Sequence, residues 1–175
     1  MPATLFVDEN LRRGFRLVGV VVTTGEIGRA RATMRAQLPR GARRVHFVKE
    51  NDARRHHILR VIAALHLDTV VVEVHEARRT PDARRAAVAT LVGWALRADV
   101  TRLVFERDDN SVALDQRTIA HTLASAGARG SLEYDHVAAS TEPLLWIPDA
   151  LAWAWSRGDD WRRAVEAIGA TVIRP

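Results

Sequence analysis

At 175 residues, 47% hydrophobic and 27% charged, the chain is long enough to bury one core and too apolar to remain disordered. It contains no cysteine, which excludes a disulfide scaffold, a thiolate zinc site and a thiol nucleophile together. Lys+Arg 26 against Asp+Glu 21 leaves a net charge of +5; the basic balance is compatible with nucleic-acid binding, while arginines scattered along the chain are more usual of a solvated surface.

In chain order, Leu5–Glu9 alternates as a short strand, and Phe15–Thr23 is a longer β-branched run beyond the polar break Asn10–Gly14. The two predict a hairpin that opens a sheet. Ile27–Leu38 reads as a helix closed by Pro39 and Gly41, Arg44–Val48 as a third short strand, and Asp52–Leu65 as a helix with Ile58, Leu59, Ile62 and Leu65 on one face. Thr69–His75 is the most apolar strand pattern. Thr80-Pro81-Asp82 is a helix start with a capping residue, a proline in the first position and an acid in the first turn; its inward positions are Val88, Leu91, Val92 and Leu96. Arg102–Glu106 is a strand, Leu114–Ala126 a helix, Leu132–Val137 a strand, and Leu145–Ile168 a terminal helical region broken near Arg157-Gly158-Asp159. An antiparallel opening followed by alternating strands and helices predicts a single α/β domain over residues 1–175, a mixed sheet flanked by helices.

No basic stretch precedes an apolar one at the N-terminus, and the apolar runs Leu17–Val22 and Ala86–Leu96 fall short of a membrane span. The expectation is a cytoplasmic protein without membrane attachment.

Acids fall where apolar strands end. Asp8 follows Leu5-Phe6-Val7, Glu73 follows Val70-Val71-Val72, and Glu106 follows Leu103-Val104-Phe105. Each has an ordinary explanation, exposure to solvent or pairing with an arginine. Acids at the C-terminal ends of neighbouring parallel strands converge, however, on the edge where open α/β sheets bind ligands, and carboxylates meeting there suit Mg²⁺ or Mn²⁺. Asp149 stands at a helix start, Ile147-Pro148-Asp149-Ala150, where an acid complements the helix dipole; its neighbours Leu144, Leu145, Trp146, Leu151 and Trp153 are apolar, which favours a site over open water. Asp8 and Glu9 must point to opposite faces, so Asp8, on the face of Phe6, is the candidate ligand, and Glu9 is left to hold an arginine or close a loop.

The strand Leu5-Phe6-Val7-Asp8-Glu9-Asn10, the Val45-His46-Phe47 segment, the acid-ended strands Val71-Val72-Glu73 and Val104-Phe105-Glu106-Arg107, and the run from Ser140 through Trp146-Ile147-Pro148-Asp149-Ala150 form a set. That set resembles the bacterial and phage family known as domain of unknown function 3800, generally regarded as RNase H-like, whose members open with Asp-Glu-Ser and close with Ala-Asp. Here Asn10 replaces the serine, Pro148 the alanine, and Glu73 and Glu106 stand where aspartate is more frequent. The resemblance, running from Leu5 to about Arg157, implies an RNase H-like fold and a nuclease. Asp8, Glu73, Glu106 and Asp149 would be its catalytic and metal-ligating residues, holding two Mg²⁺ or Mn²⁺ ions, one to activate water for in-line attack on phosphorus and one to stabilise the leaving oxygen. His46, Lys49 and Arg107 would meet the substrate phosphates, although His46 also reads as a structural residue.

Other constellations are weaker. His56-His57 with His66 lacks zinc-helix spacing, and Gly25-Glu26-Ile27-Gly28 lacks the lysine of a phosphate loop. Of the tryptophans, Trp155 or Trp161 is the candidate for exposure and base stacking. The rival class is a catalytically inactive module that binds nucleic acid or protein, within a toxin or phage-defence system, in which the acids are structural. DNA or RNA, and a homodimer or a regulatory protein partner, remain open choices at this level.

Overall fold

The computed structural model describes residues 1–12, 14–74 and 80–175. The opening hairpin forms as the pattern predicts, from β1 (Ala3–Asn10) and β2 (Phe15–Thr23), paired antiparallel with Phe6 opposite Val20 and Asp8 opposite Val18. Then follow α1 (Ile27–Arg35), a 3₁₀ turn at Phe47–Lys49, α2 (Asp52–Ala63) and β3 (Thr69–Val74); His75, the expected end of that strand, lies outside the described residues. The second half comprises α3 (Pro81–Arg97), β4 (Val100–Glu106), α4 (Val112–Ser125), β5 (Glu133–Val137), a 3₁₀ turn at Pro143–Leu145, α5 (Trp146–Arg157), α6 (Asp159–Glu166) and β6 (Thr171–Ile173).

The sheet runs β5-β4-β1-β2-β3-β6. β4 is parallel to β1 and to β5, β2 is antiparallel to both neighbours, and β6 is parallel to β3. Strand alternation then divides the apolar residues between two cores. Phe6, Val18, Val20, Val71 and Val104 face α1, α2 and α5, where Met34, Ile58, Ile62, Leu151 and Trp155 complete the packing. Leu5, Val7, Leu17, Val70, Val72, Leu103 and Phe105 face α3 and α4, against Val88, Leu91, Val92, Ile119 and Leu123. Thr80 caps α3, its hydroxyl accepting from the Ala83 amide at 3.0 Å, with Pro81 in the first turn. The terminal helical region breaks at Gly158, whose φ of 81° is open to glycine at little cost.

Three expectations are corrected. Arg44–Val48 is not a strand: Val45 and Phe47 are buried, but Phe47 packs edge-on to Trp153 at 5.3 Å, so the alternation serves the surface of α5 rather than a neighbouring strand. β6 escaped notice because three residues are too few for a periodic pattern. The strand of Glu73 is not the neighbour of β1 that convergence of its acid with Asp8 requires, because the hairpin strand β2 occupies that position and puts β3 one place further out.

Gly19 of β2 lies opposite Val7 and opposite Val70. A Cβ there would stand 2.7 Å from Leu5 Cδ1 and 3.2 Å from Val70 Cγ1, and both side chains are fully buried. Gly19→Val should therefore lower stability by about 1–3 kcal/mol through overpacking, read as the urea midpoint at unchanged slope; an unshifted midpoint would show that the layer against α3 can yield.

Candidate active site

The parallel register of β1 and β4 creates the site. Its last pairs are Phe6–Val104 and Val7–Phe105, so the next step along both strands sets Asp8 beside Glu106, on the face that packs against α5. Over that face α5 brings Asp149, in its first turn. α5 starts at Trp146, one residue inside the expected helical region, and Pro148 is accommodated because first-turn amides have no partner within the helix. The approach to α5 is fixed on both sides. Trp146 Nε1 donates to the Ala139 carbonyl at 2.6 Å, and Arg31 grips the Glu142 carboxylate through Nε at 3.1 Å and Nη2 at 2.6 Å.

The three carboxylates open into a cleft of about 300 Å³ that Arg44, Arg84 and Arg107 also line. They repel one another in a recessed setting. Burial pushes Asp8 well above the usual carboxylate range, and the charges of Glu106 and Asp149 and a hydrogen bond shared with Glu106 push it further; the Glu9 amide, 2.7 Å from Asp8 Oδ1, opposes them. Asp149 is raised to about 6, mainly by burial; the Phe47 amide at 3.4 Å pulls it down, Glu106 raises it and Arg44 lowers it. Arg44 is the counter-ion at hand: its Nη1 lies 2.5 Å from Glu106 Oε1.

Glu73 does not join this group. Its carboxylate accepts from Arg16 Nε at 3.2 Å, Trp155 Nε1 at 2.8 Å and Arg174 Nη2 at 2.9 Å. Burial alone would raise it, but Trp155 and the arginines hold it below the ordinary range. With β2 between β3 and β1, and three polar partners already on its oxygens, Glu73 is a structural ion-pair residue rather than a neighbour of Asp8.

Of the residues expected to meet phosphate, Arg107 lies at the cleft, exposed and 2.7 Å from Asp109. His46 sits behind Arg44, whose Nη2 donates to His46 Nδ1 at 3.2 Å; burial and the charges of Arg44 and Lys49 keep the imidazole below its ordinary pKa. Lys49 is exposed in the 3₁₀ turn and does not line the cleft. Trp155 is buried, and Trp161 is half-buried and already stacked on His56 at 4.2 Å, so neither offers a free platform for a base.

Sequence reasoning missed Arg44, read there as a strand residue. It also missed a buried network behind the cleft. Glu9 points to the opposite face from Asp8 and meets Arg84, whose Nε and Nη2 hold both oxygens of Asp115 at 2.6 and 2.7 Å; His136 Nε2 lies 2.9 Å from Asp115 Oδ2. Burial would raise Asp115, but His136 and Arg84 bring it below the ordinary range. The signal was present in helical spacing: Arg84 shares a stripe with Ala87, Val88 and Leu91, and Asp115 with Thr118, Ile119 and Leu123.

Among the described residues no three His, Asp or Glu side chains already stand together as a closed metal cage. The donor chemistry still fits a hard divalent cation: three carboxylates and no sulfur, brought from β1, β4 and α5 against their own repulsion.

The sheet order and its helical layers are those of an α/β protein with the RNase H-like fold. The chain is similar to a chain of the PCNA:RNase HII complex from Archaeoglobus fulgidus, with a TM-score of 0.54 and 17% identity over 94% of this chain and 75% of that one. The likeness is one of fold. No family model and no curated protein matches the chain, and no described helix is long and apolar enough to cross a membrane.

Raised carboxylates give stability a definite pH dependence. A folded-state pKa above the unfolded one means that the folded protein holds the proton more firmly, so this contribution is full below the ordinary carboxylate range and is lost as pH rises through about 6 for Asp149. In metal-free buffer the melting temperature should fall between about pH 5 and pH 7, and Asp149→Asn should flatten that fall. Parallel profiles for the two proteins would assign the titration to other groups.

Proposed function

We propose that the protein is a divalent-metal-dependent nuclease that hydrolyses phosphodiester bonds of nucleic acid, with Asp8, Glu106 and Asp149 as the metal-holding carboxylates. The observation that carries this reading is the meeting of three acids from β1, β4 and α5, with Arg44 paired to Glu106, at the C-terminal edge of an RNase H-like sheet. Two of the acids belong to the opening and closing motifs that suggest membership of the domain of unknown function 3800 family. The fold neighbour comes from a complex of PCNA with RNase HII, which agrees with a nucleic-acid substrate and a protein partner.

Asp8 and Glu106, side by side on parallel strands, and Asp149, from across the cleft, would hold Mg²⁺ or Mn²⁺ through oxygen. When bound, the cation supplies charge stabilisation on phosphorus oxygens and a nucleophilic water near neutral pH. The carboxylates themselves fix where attack occurs, because two of them are set by strand register and the third by an anchored helix. Arg107 at the cleft supplies positive charge for the backbone of the nucleic acid.

A non-catalytic binding module is the second reading, favoured by the Arg44–Glu106 ion pair and by the absence, among the described residues, of a closed three-ligand group. Mg²⁺ or Mn²⁺ should raise the melting temperature of the wild type by mass action; Asp8→Asn should abolish that shift while raising metal-free stability by relieving repulsion. Labelled single-stranded, double-stranded and hybrid nucleic acids incubated with Mn²⁺ should be cleaved by the wild type, and Asp8→Asn or Asp149→Asn should slow cleavage by about two orders of magnitude or more. Equal cleavage by all three proteins would reveal a contaminant. Salt-dependent binding without cleavage or cation uptake would establish the binding module instead.

A further inference from the structure

Arg44 has an arrangement that a purely structural ion pair does not explain. Its Nη1 is 2.5 Å from Glu106, its Nη2 donates to His46 at 3.2 Å, and its Nε is buried with no hydrogen-bond partner among the described residues. A guanidinium normally uses its N–H groups in pairs, Nε with one Nη forming a fork that matches the two oxygens of a carboxylate or phosphate. Arg31 on Glu142 and Arg84 on Asp115 do this in the same molecule. Arg44 does not. It meets Glu106 through one nitrogen, and a buried donor left unpaired costs free energy.

The backbone at this point is fixed, and the side chain reaches from it into the cleft. Val45 and Phe47, on either side of His46, are both buried, and Phe47 is locked against Trp153. Arg44 itself is only half-buried and lines the cleft with Asp8, Glu106 and Asp149. A cation held by Glu106 would take over the charge that Nη1 now neutralises, and the guanidinium would then be repelled from its carboxylate.

We propose that Arg44 is a two-position side chain: the counter-ion of Glu106 in the metal-free protein, and a phosphate-binding fork for the phosphodiester once a divalent cation holds Glu106. This rests on the nuclease reading and adds to it that cation and nucleic acid bind with positive coupling through one arginine. Once Nη1 is released, the donors for the phosphate oxygens are the unpaired Nε and Nη2, the same pair that Arg31 and Arg84 present to their carboxylates, with Nη2 turning from His46 to the phosphate. Atoms and charges balance without a covalent step: a dication enters, and a guanidinium moves from carboxylate to phosphate.

The test reads binding rather than turnover. Calorimetry with Mg²⁺ alone should show Arg44→Gln binding the cation more tightly than the wild type, on the order of tenfold, because a competing positive charge has gone. Fluorescence anisotropy with a labelled hybrid duplex, and with a single strand of the same sequence, is then compared with and without Ca²⁺. The wild type should tighten about tenfold or more on adding the cation, as charged hydrogen bonds to phosphate form. Arg44→Gln should lose that gain. Arg44→Lys, which keeps the charge without the fork, should bind Mg²⁺ like the wild type yet recover only part of the gain. Melting curves establish that each variant is folded. A wild type that binds cation, with an Arg44→Gln variant that matches it in both titrations, overturns the role of Arg44 and leaves the nuclease reading standing. A wild type that binds no divalent cation overturns both.

Discussion

The hydrogen-bonded register between β1 and β4 governs the rest of the molecule. Once Val7 stands opposite Phe105 in a parallel pair, the following residues of both strands must emerge side by side on one face, and those residues are Asp8 and Glu106. Two carboxylates forced together in a recessed site are unfavourable. Their closeness is maintained by the cores on either side, where Leu5, Phe6, Val7, Leu103, Val104 and Phe105 are nearly or wholly excluded from solvent. The packing of the strand interiors thus sets the chemistry at their ends.

The two faces of the sheet divide the acids between them. On the α5 face, Arg44 pairs with Glu106 and acts on Asp149 through its charge, while Asp8 is raised by both acids. On the α3 and α4 face, Glu9 and Asp115 are neutralised by Arg84 and His136, in a network buried enough that removing one partner would leave an uncompensated charge. Glu73 belongs to the first face by orientation but to the second kind by environment, since Arg16, Arg162 and Arg174 surround it. Carboxylates of similar sequence context therefore stand in different surroundings, Glu73 among three arginines and Trp155, Glu106 beside Arg44 and two other acids.

This explains how far the residues alone could be read. Asp8 and Glu106 end strongly apolar strands that pair in parallel, and Asp149 interrupts an apolar helix, so local pattern and tertiary placement agree. Glu73 ends an equally apolar strand, and nothing local distinguishes it; the difference is the position of β2 in the sheet, which depends on pairing across the chain. Arg44 was hidden because Arg44-Val45-His46-Phe47 alternates like a strand while packing on a helix. The Arg84–Asp115 pair was hidden by the opposite problem: its helical spacing was legible, but charged residues on an inward stripe are recognised only when their partners on other elements are known.

The network around Arg84 bears on how β1 ends. Strand termini ordinarily open first, because few contacts hold the last residues. Here Glu9 is tied through Arg84 and Asp115 to α3, α4 and, by way of His136, to β5. The residue just beyond Asp8 is thus moored to three elements distant in sequence. Loosening it requires breaking the hold of the buried Arg84–Asp115 pair as well, which opposes fraying at the end of β1. An aspartate placed one residue before such a mooring keeps its position even where its own surroundings repel it.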